Sequence, residues 1–177
     1  TYARVELDHM GRATKSERYY DADDDASFPS DGTVDGGDRL LARSESLYDK
    51  LGRVYRSKTY AVSPSTGSVG SALVSDSWCD ALGRVIKQRL GGSRMFRKTT
   101  YDALGRATAQ YLSYDTDETA YGDADDVTGD TVSEQSEMVY DSQGNLLQTT
   151  RYARKHTAGG TGVTTTSTAQ PSYTASW

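Results

Sequence analysis

Two dense runs of aspartate are the part of this chain best suited to bind a metal ion. The carboxylates belong to Asp21, Asp23 and Asp25 in the first run and to Asp123, Asp125 and Asp126 in the second. Carboxylate oxygens are the hard ligands that Ca²⁺ prefers, but neither run has the glycine and the closing glutamate of an EF-hand loop. Three interpretations are therefore open: a calcium site, solvated loops, or loops that lie back across basic strands.

Acid–base or nucleophilic catalysis has little support in the residues. The sequence has two histidines, His9 and His156, and neither is placed with a serine or cysteine partner. It also lacks a phosphate-binding loop, a dinucleotide fingerprint and a zinc-ligand cluster. The single cysteine, Cys79, excludes an internal disulfide and is expected to be a small packed apolar residue. The sequence therefore predicts no enzymatic activity, and calcium is the one cofactor that it raises.

A short pattern, aspartate followed three residues later by glycine, occurs six times. The copy at 126–129 is expected to be a local turn inside an insertion, and the other five copies form a repeat along the chain. Aspartate at the first place of a type I turn accepts backbone N–H groups, and glycine at the fourth place adopts the left-handed conformation. Together they give a β-hairpin whose turn closes in a bulge. The predicted hairpin tips are 8–11, 49–52, 80–83, 102–105 and 141–144, with aspartates Asp8, Asp49, Asp80, Asp102 and Asp141 and glycines Gly11, Gly52, Gly83, Gly105 and Gly144.

The residues around the tips favour strands. Tyrosine precedes the aspartate at Tyr48, Tyr101 and Tyr140, and arginine follows the glycine at Arg53, Arg84 and Arg106. Segments 54–60, 95–101 and 146–152 are rich in Tyr, Thr and Val, and no segment keeps a helical period. The predicted fold is all-β, with tandem antiparallel hairpins that form an extended, spiral or shell-like β-sheet. The serine-, threonine- and glycine-rich stretches 63–77 and 157–168 are expected to be flexible loops, with an adhesive or glycosylated surface as the alternative.

The segments Tyr48-Asp49-Lys50-Leu51-Gly52-Arg53 and Tyr101-Asp102-Ala103-Leu104-Gly105-Arg106 resemble the YD repeat of Rhs proteins, teneurins and the cage components of insecticidal toxin complexes. The resemblance covers residues 1–177, and it implies a strip of hairpins that winds as a spiral or closes into a hollow shell. In Rhs and toxin-complex relatives such a shell encloses a toxin, and in teneurins it is an extracellular barrel used in cell–cell contact. The chain departs from the pattern where Leu7 and Cys79 replace tyrosine and where Asn145 replaces arginine.

Charge is segregated along the chain. The insertions 21–38 and 115–137 hold seven and nine acidic residues and no lysine or arginine, although the net charge of the whole chain is only −5. The basic remainder raises nucleic acid as a partner, but the acidic insertions oppose it. With 35% hydrophobic residues and thirteen tyrosines, the chain is expected to have a thin core, which favours an extended sheet over a globule.

These features predict a non-enzymatic structural segment of a large secreted or cell-surface Rhs/YD-repeat protein, in which one array over 1–177 builds part of a shell or strip around a toxin domain. The alternative is an extracellular adhesin or carbohydrate-binding module that mediates cell–cell contact. The expected partners are neighbouring repeats of the same larger polypeptide, an enclosed toxin domain or surface glycans, with no nucleic acid and no direct membrane insertion. Since no capping repeat is visible, the chain is expected to be a fragment of a longer protein.

Overall fold

The structure, a computed structural model, describes residues 1–20, 38–115 and 121–175. These residues form eleven β-strands that pair in chain order as one antiparallel sheet, and they contain no α-helix. The all-β prediction is therefore confirmed. The strands are β1 (Tyr2–Leu7), β2 (Ala13–Tyr20), β3 (Arg39–Tyr48), β4 (Val54–Val62), β5 (Val69–Cys79), β6 (Val85–Arg89), β7 (Met95–Tyr101), β8 (Ala107–Tyr114), β9 (Thr131–Tyr140), β10 (Leu146–Arg154) and β11 (Ala169–Ala175), and a 3₁₀ helix spans Tyr121–Ala124.

The chain divides into two compact units, Thr1–Ser75 and Asp76–Trp177. In the first unit, alternation along the strands places charged residues on one face of the sheet. Glu6 lies opposite Lys15, Lys15 opposite Glu45, and Glu45 opposite Lys58, so the sign of the charge alternates across four strands. Lys15 Nζ lies 2.8 Å from Glu6 and Lys58 Nζ lies 3.3 Å from Glu45. Opposite charges in direct cross-strand register stabilise such a pairing.

The apolar core of the second unit lies between the sheet and the described part of the loop that joins β8 to β9. The buried apolar side chains of this unit are Ile86, Phe96, Ala109, Ala124, Val127, Val132 and Ala169. Ala124 and Val127 belong to the acidic insertion between β8 and β9, so this insertion contributes to the core. The loop therefore supplies the second layer that a single sheet needs to bury one face.

The two serine-, threonine- and glycine-rich stretches differ in outcome. The loop predicted over 63–77 was wrong for 69–77, because these residues belong to strand β5, which pairs with β6. The stretch 157–168 is a loop between β10 and β11, and it is hydrogen-bonded to the rest of the second unit. The backbone N–H of Gly162 donates to the carbonyl of Asp130 at 2.8 Å. The backbone N–H and the hydroxyl of Thr164 donate to Gln135 Oε1 at 2.9 and 3.0 Å, and both of these side chains are buried. Composition predicts this loop but does not reveal the buried amide of Gln135 in β9, which accepts two hydrogen bonds from Thr164.

Candidate functional site

Each hairpin tip is organised by its aspartate. At the fourth tip, Asp102 Oδ1 accepts the backbone N–H groups of Leu104 and Arg106, each at 2.9 Å, and Asp102 Oδ2 accepts Arg106 Nε at 2.7 Å. The N–H of Gly105 donates to the Asp102 carbonyl at 3.0 Å, and Gly105 has φ +83°. The strand register shifts between Thr100 and Tyr101, beside this turn. A four-residue turn capped by aspartate, a left-handed glycine and a bulge follow one another, as the sequence predicts.

The other four tips repeat this geometry with few changes. Their aspartates accept the backbone N–H groups two and four residues further on at 2.8–3.0 Å. At three of them the second carboxylate oxygen accepts the arginine Nε at 2.6–2.7 Å. At the fifth tip the Asn145 amide takes the place of the guanidinium and donates to Asp141 Oδ2 at 2.8 Å.

These hydrogen bonds make the tip carboxylates more acidic. The backbone N–H of the following arginine is the main cause that lowers the pKa of Asp8, Asp49 and Asp102 below the usual value, and the arginine side chain adds to it. For Asp141 the amide of Asn145 is the main cause of the lowered pKa. For Asp80 burial acts to raise the pKa, but the hydrogen bonds from Arg84 outweigh it. All five tips therefore hold their aspartate in the charged form.

Neighbouring tips are joined by an arginine and a tyrosine, an arrangement that we call the tip-to-tip contact. The guanidinium carbon of Arg84 lies 4.7 Å from the centre of the Tyr101 ring, and Arg84 Nη1 donates to the carbonyl of Asp102 at 3.1 Å. In return the Tyr101 hydroxyl donates to the carbonyl of Val85 at 2.9 Å. Arg84 therefore binds the aspartate of its own tip and the ring and backbone of the next tip.

The tip-to-tip contact recurs in both units. In the second unit Arg106 lies 4.7 Å over the ring of Tyr140, whose hydroxyl donates to the carbonyl of Ala107 at 2.9 Å. In the first unit Arg12 lies 4.5 Å over the ring of Tyr48, whose hydroxyl donates to Ala13 at 2.9 Å. The cation–π contact and the hydrogen bond from the tyrosine hydroxyl thus recur in all three pairs, and in the second unit the arginine also donates to the aspartate carbonyl of the next tip.

The sequence shows the tyrosine and the arginine but not their pairing. In the sequence the two residues belong to the same six-residue motif. Some copies lack the tyrosine and another lacks the arginine, so neither residue looks necessary for the motif. In the structure an arginine acts on the tyrosine of the following copy. The sequence feature that could predict this pairing is the order of the copies: an arginine at the end of one copy is followed by a tyrosine at the start of the next. The pairs are Arg12 with Tyr48, Arg84 with Tyr101, and Arg106 with Tyr140.

The aspartates predicted to bind calcium do not gather into a metal site where they are described. Asp21, Asp23 and Asp25 lie outside the described residues. Within residues 1–20, 38–115 and 121–175, no group of three or more His, Cys, Asp or Glu side chains could hold a metal ion, and this range includes Asp123, Asp125 and Asp126. The carbonyls of Asp123 and Asp126 instead accept hydrogen bonds from the Lys98 ammonium.

The residues considered for catalysis are dispersed. His9 is exposed within the first tip, and His156 is exposed in the turn after β10. Cys79 ends β5 opposite Val85, is partly exposed and forms no disulfide.

An open groove of about 610 Å³ in the first unit is lined by ionic groups that bind one another, among them Glu6, Lys15 and Lys58. No helix in the described part of the chain has the length and apolar character needed to cross a bilayer.

Comparison with known proteins finds no family and only loose structural similarity. No protein-family model matches the chain, and no curated protein matches it. A chain in the crystal structure of TcdB2-TccC3-Cdc42 aligns with 98% of this chain at 14% identity and a TM-score of 0.38. This chain spans 8% of the length of that structure's chain. A similarity at this level concerns the fold only, and the activity and partners of that complex are not transferred by it.

Proposed function

We propose that this chain is a non-enzymatic structural segment, a piece of β-sheet wall within a larger YD-repeat protein. The observation that carries the proposal is the tip-to-tip contact, which three pairs form within the described part of the chain: Arg12 with Tyr48, Arg84 with Tyr101, and Arg106 with Tyr140. In each pair, the guanidinium and the tyrosine ring, which are groups able to recognise a ligand, instead join one hairpin to the next.

The tip-to-tip contact suits a wall because it connects the turns of neighbouring hairpins. It adds to the backbone hydrogen bonds that pair the strands. A cation–π contact at a partly exposed site contributes about 0.5–1 kcal/mol. A hydrogen bond from a tyrosine hydroxyl to a carbonyl contributes about 0.5–1.5 kcal/mol. Each contact contributes little to the stability of the sheet, but the contact is repeated. A sheet with a thin apolar core is stabilised by such contacts because they do not require burial.

The charged face of the first unit supports the same proposal. Glu45 accepts hydrogen bonds from Arg43, Tyr60 and Lys58 at 2.8–3.3 Å, and these outweigh the effect of burial, so the pKa of Glu45 is lowered. Lys15 lies within 3.3 Å of both Glu6 and Glu17. A face whose charges neutralise one another fits a wall better than it fits a site that attracts a charged substrate.

In this proposal the wall belongs to a secreted or cell-surface protein, and its partners are neighbouring repeats and an enclosed toxin domain. These finer points come from the resemblance of the tips to YD repeats. The alternative, an adhesin or carbohydrate-binding module, predicts that the isolated chain binds glycans or cells, which a glycan array and a cell-binding assay can measure.

The test uses the longest native polypeptide that carries this chain. The double variant Arg84→Ala/Arg106→Ala removes the two arginines of the tip-to-tip contacts in the second unit, and Arg97→Ala, at an exposed position of β7, is the matched control. If the chain is a wall, limited proteolysis should cut both the array and any enclosed domain faster in the double variant than in the control. Equal cleavage of both variants, or specific glycan binding by the unmodified chain, would overturn the proposal.

A further inference from the structure

The most unusual group in the second unit is a lysine ammonium buried beneath the acidic insertion. Lys98 projects from β7, and only 3% of its side chain is exposed. Its Nζ lies 2.5 Å from the carbonyl oxygen of Asp123 and 2.6 Å from that of Asp126. The carboxylate of Asp130, with 1% of its side chain exposed, lies 3.0–3.2 Å from the same nitrogen.

The acceptor groups of residues 121–130 are sufficient for the donors of an ammonium. A lysine ammonium has three N–H donors and no acceptor. Residues 121–130 present two backbone carbonyls and one carboxylate around Lys98 Nζ, all at hydrogen-bond distance. Ca²⁺ would need six to eight oxygens at about 2.3–2.6 Å. The arrangement therefore supplies an acceptor for each of the three donors of an ammonium.

The neighbouring strand explains why Lys98 needs these acceptors. Lys98 lies directly opposite Lys87 in the pairing of β7 with β6, and both lysines are buried. Like charges in direct cross-strand register destabilise a sheet. Lys87 Nζ lies over the rings of Trp78 and Phe96, 4.6 and 4.3 Å from their centres. Lys98 Nζ lies 5.2 Å from the centre of the same Phe96 ring, so both ammonium groups contact this ring, and the oxygens of the insertion add hydrogen bonds to Lys98.

A second loop of the same unit is held in a similar way. Arg154 Nη1 donates to the carbonyls of Gly159 and Gly160 at 3.3 and 3.1 Å. Lys155 Nζ donates to the carbonyls of Thr166 and Ser167 at 3.3 and 3.1 Å. Basic side chains at the ends of strands thus bind backbone carbonyls of the loops, but of these three cations only Lys98 is fully enclosed.

We propose that residues 121–130 form a binding site for a primary ammonium, which the chain's own Lys98 fills in place of a metal ion. The site closes the acidic insertion over the sheet without calcium. Removal of the lysine side chain beyond Cβ leaves a cavity with the shape of n-propylammonium and the oxygens that bind it. The unmodified protein keeps this site filled and therefore does not respond to an added amine.

Hydrogen exchange measured on peptides within 121–130 tests the proposal. In the unmodified chain, exchange there should be the same with excess Ca²⁺ and with a chelator. In Lys98→Ala exchange should rise about tenfold or more, because a buried carboxylate and two carbonyls lose their donor. n-Propylammonium should restore slow exchange in Lys98→Ala, whereas tetramethylammonium, which has no N–H donor, should not. The control Lys155→Ala should leave the exchange of 121–130 unchanged, with or without the amine.

Several results would overturn the proposal. One is slower exchange of 121–130 on addition of Ca²⁺ to the unmodified chain. Others are unchanged exchange in Lys98→Ala, or equal rescue by tetramethylammonium, which would indicate a general salt effect. If Lys98→Ala does not fold, Asp130→Asn serves instead, since it keeps an acceptor and removes the charge. Faster exchange of 121–130 in Asp130→Asn supports the site, and unchanged exchange refutes it.

Discussion

Substitution of the tip glycine Gly105 measures the free energy that an L-residue loses in the left-handed conformation of the turn, separately from any change in side-chain packing. Gly105 has φ +83°, and a Cβ built there would meet Arg84 Nη1 at 3.8 Å, an ordinary van der Waals contact. A substitution is therefore opposed by the left-handed conformation and not by a clash. For an L-residue that conformation costs about 1–2 kcal/mol, and up to about 3 kcal/mol where the backbone is strongly strained. Asparagine tolerates it better than other side chains.

The expected order of stability is Gly105, then Gly105→Asn, Gly105→Ala and Gly105→Val. For a chain of this size each kcal/mol lowers Tm by about 2–4 °C, so Gly105→Val should melt roughly 2–12 °C lower. Gly159→Ala is the matched control, because Gly159 lies outside the left-handed region and a Cβ added there would have open space within 4 Å. Its Tm should be unchanged or slightly raised. Equal shifts for valine, asparagine and the control, measured by thermal melts, would refute the turn assignment.

Three further predictions address the tip-to-tip contact, pH and the second loop. A double-mutant cycle of Arg84→Met and Tyr101→Leu should give a coupling of about 0.5–1.5 kcal/mol in urea unfolding, whereas the same cycle with Arg97 in place of Arg84 should give almost none. Because the pKa of the tip aspartates is lowered in the folded state, the unfolded state binds more protons in acid. The unfolding free energy should be constant above about pH 5 and fall below it, with a shallower fall in Asp102→Asn, as urea unfolding at several pH values can measure. Gln135→Leu should lower the unfolding free energy by about 1–3 kcal/mol, because two buried donors of Thr164 lose their acceptor; an unchanged urea midpoint would contradict this.

The tips could be predicted from the sequence because their chemistry is local. Asp102 contacts Leu104 and Arg106 within a span of four residues, and Gly105 supplies the conformation that closes the turn. The strands between the tips follow from their composition and from the absence of a helical period. The prediction of a calcium site also relied on a local run of residues. A run of aspartates forms a metal site only when the fold brings several of its oxygens together. At 123–130 the oxygens instead surround the ammonium of Lys98.

The sequence by itself determined the five turns, the antiparallel all-β fold and the separation of acidic insertions from basic strands. Tertiary structure decided which groups meet across strands. Arg84 reaches the carbonyl of a residue 18 positions away, and Lys98 reaches carbonyls 25 and 28 positions away. The physical reason is that a turn is stabilised by atoms a few bonds apart, whereas a buried cation takes whichever oxygens the folded chain presents, and strand pairing and loop closure set that choice.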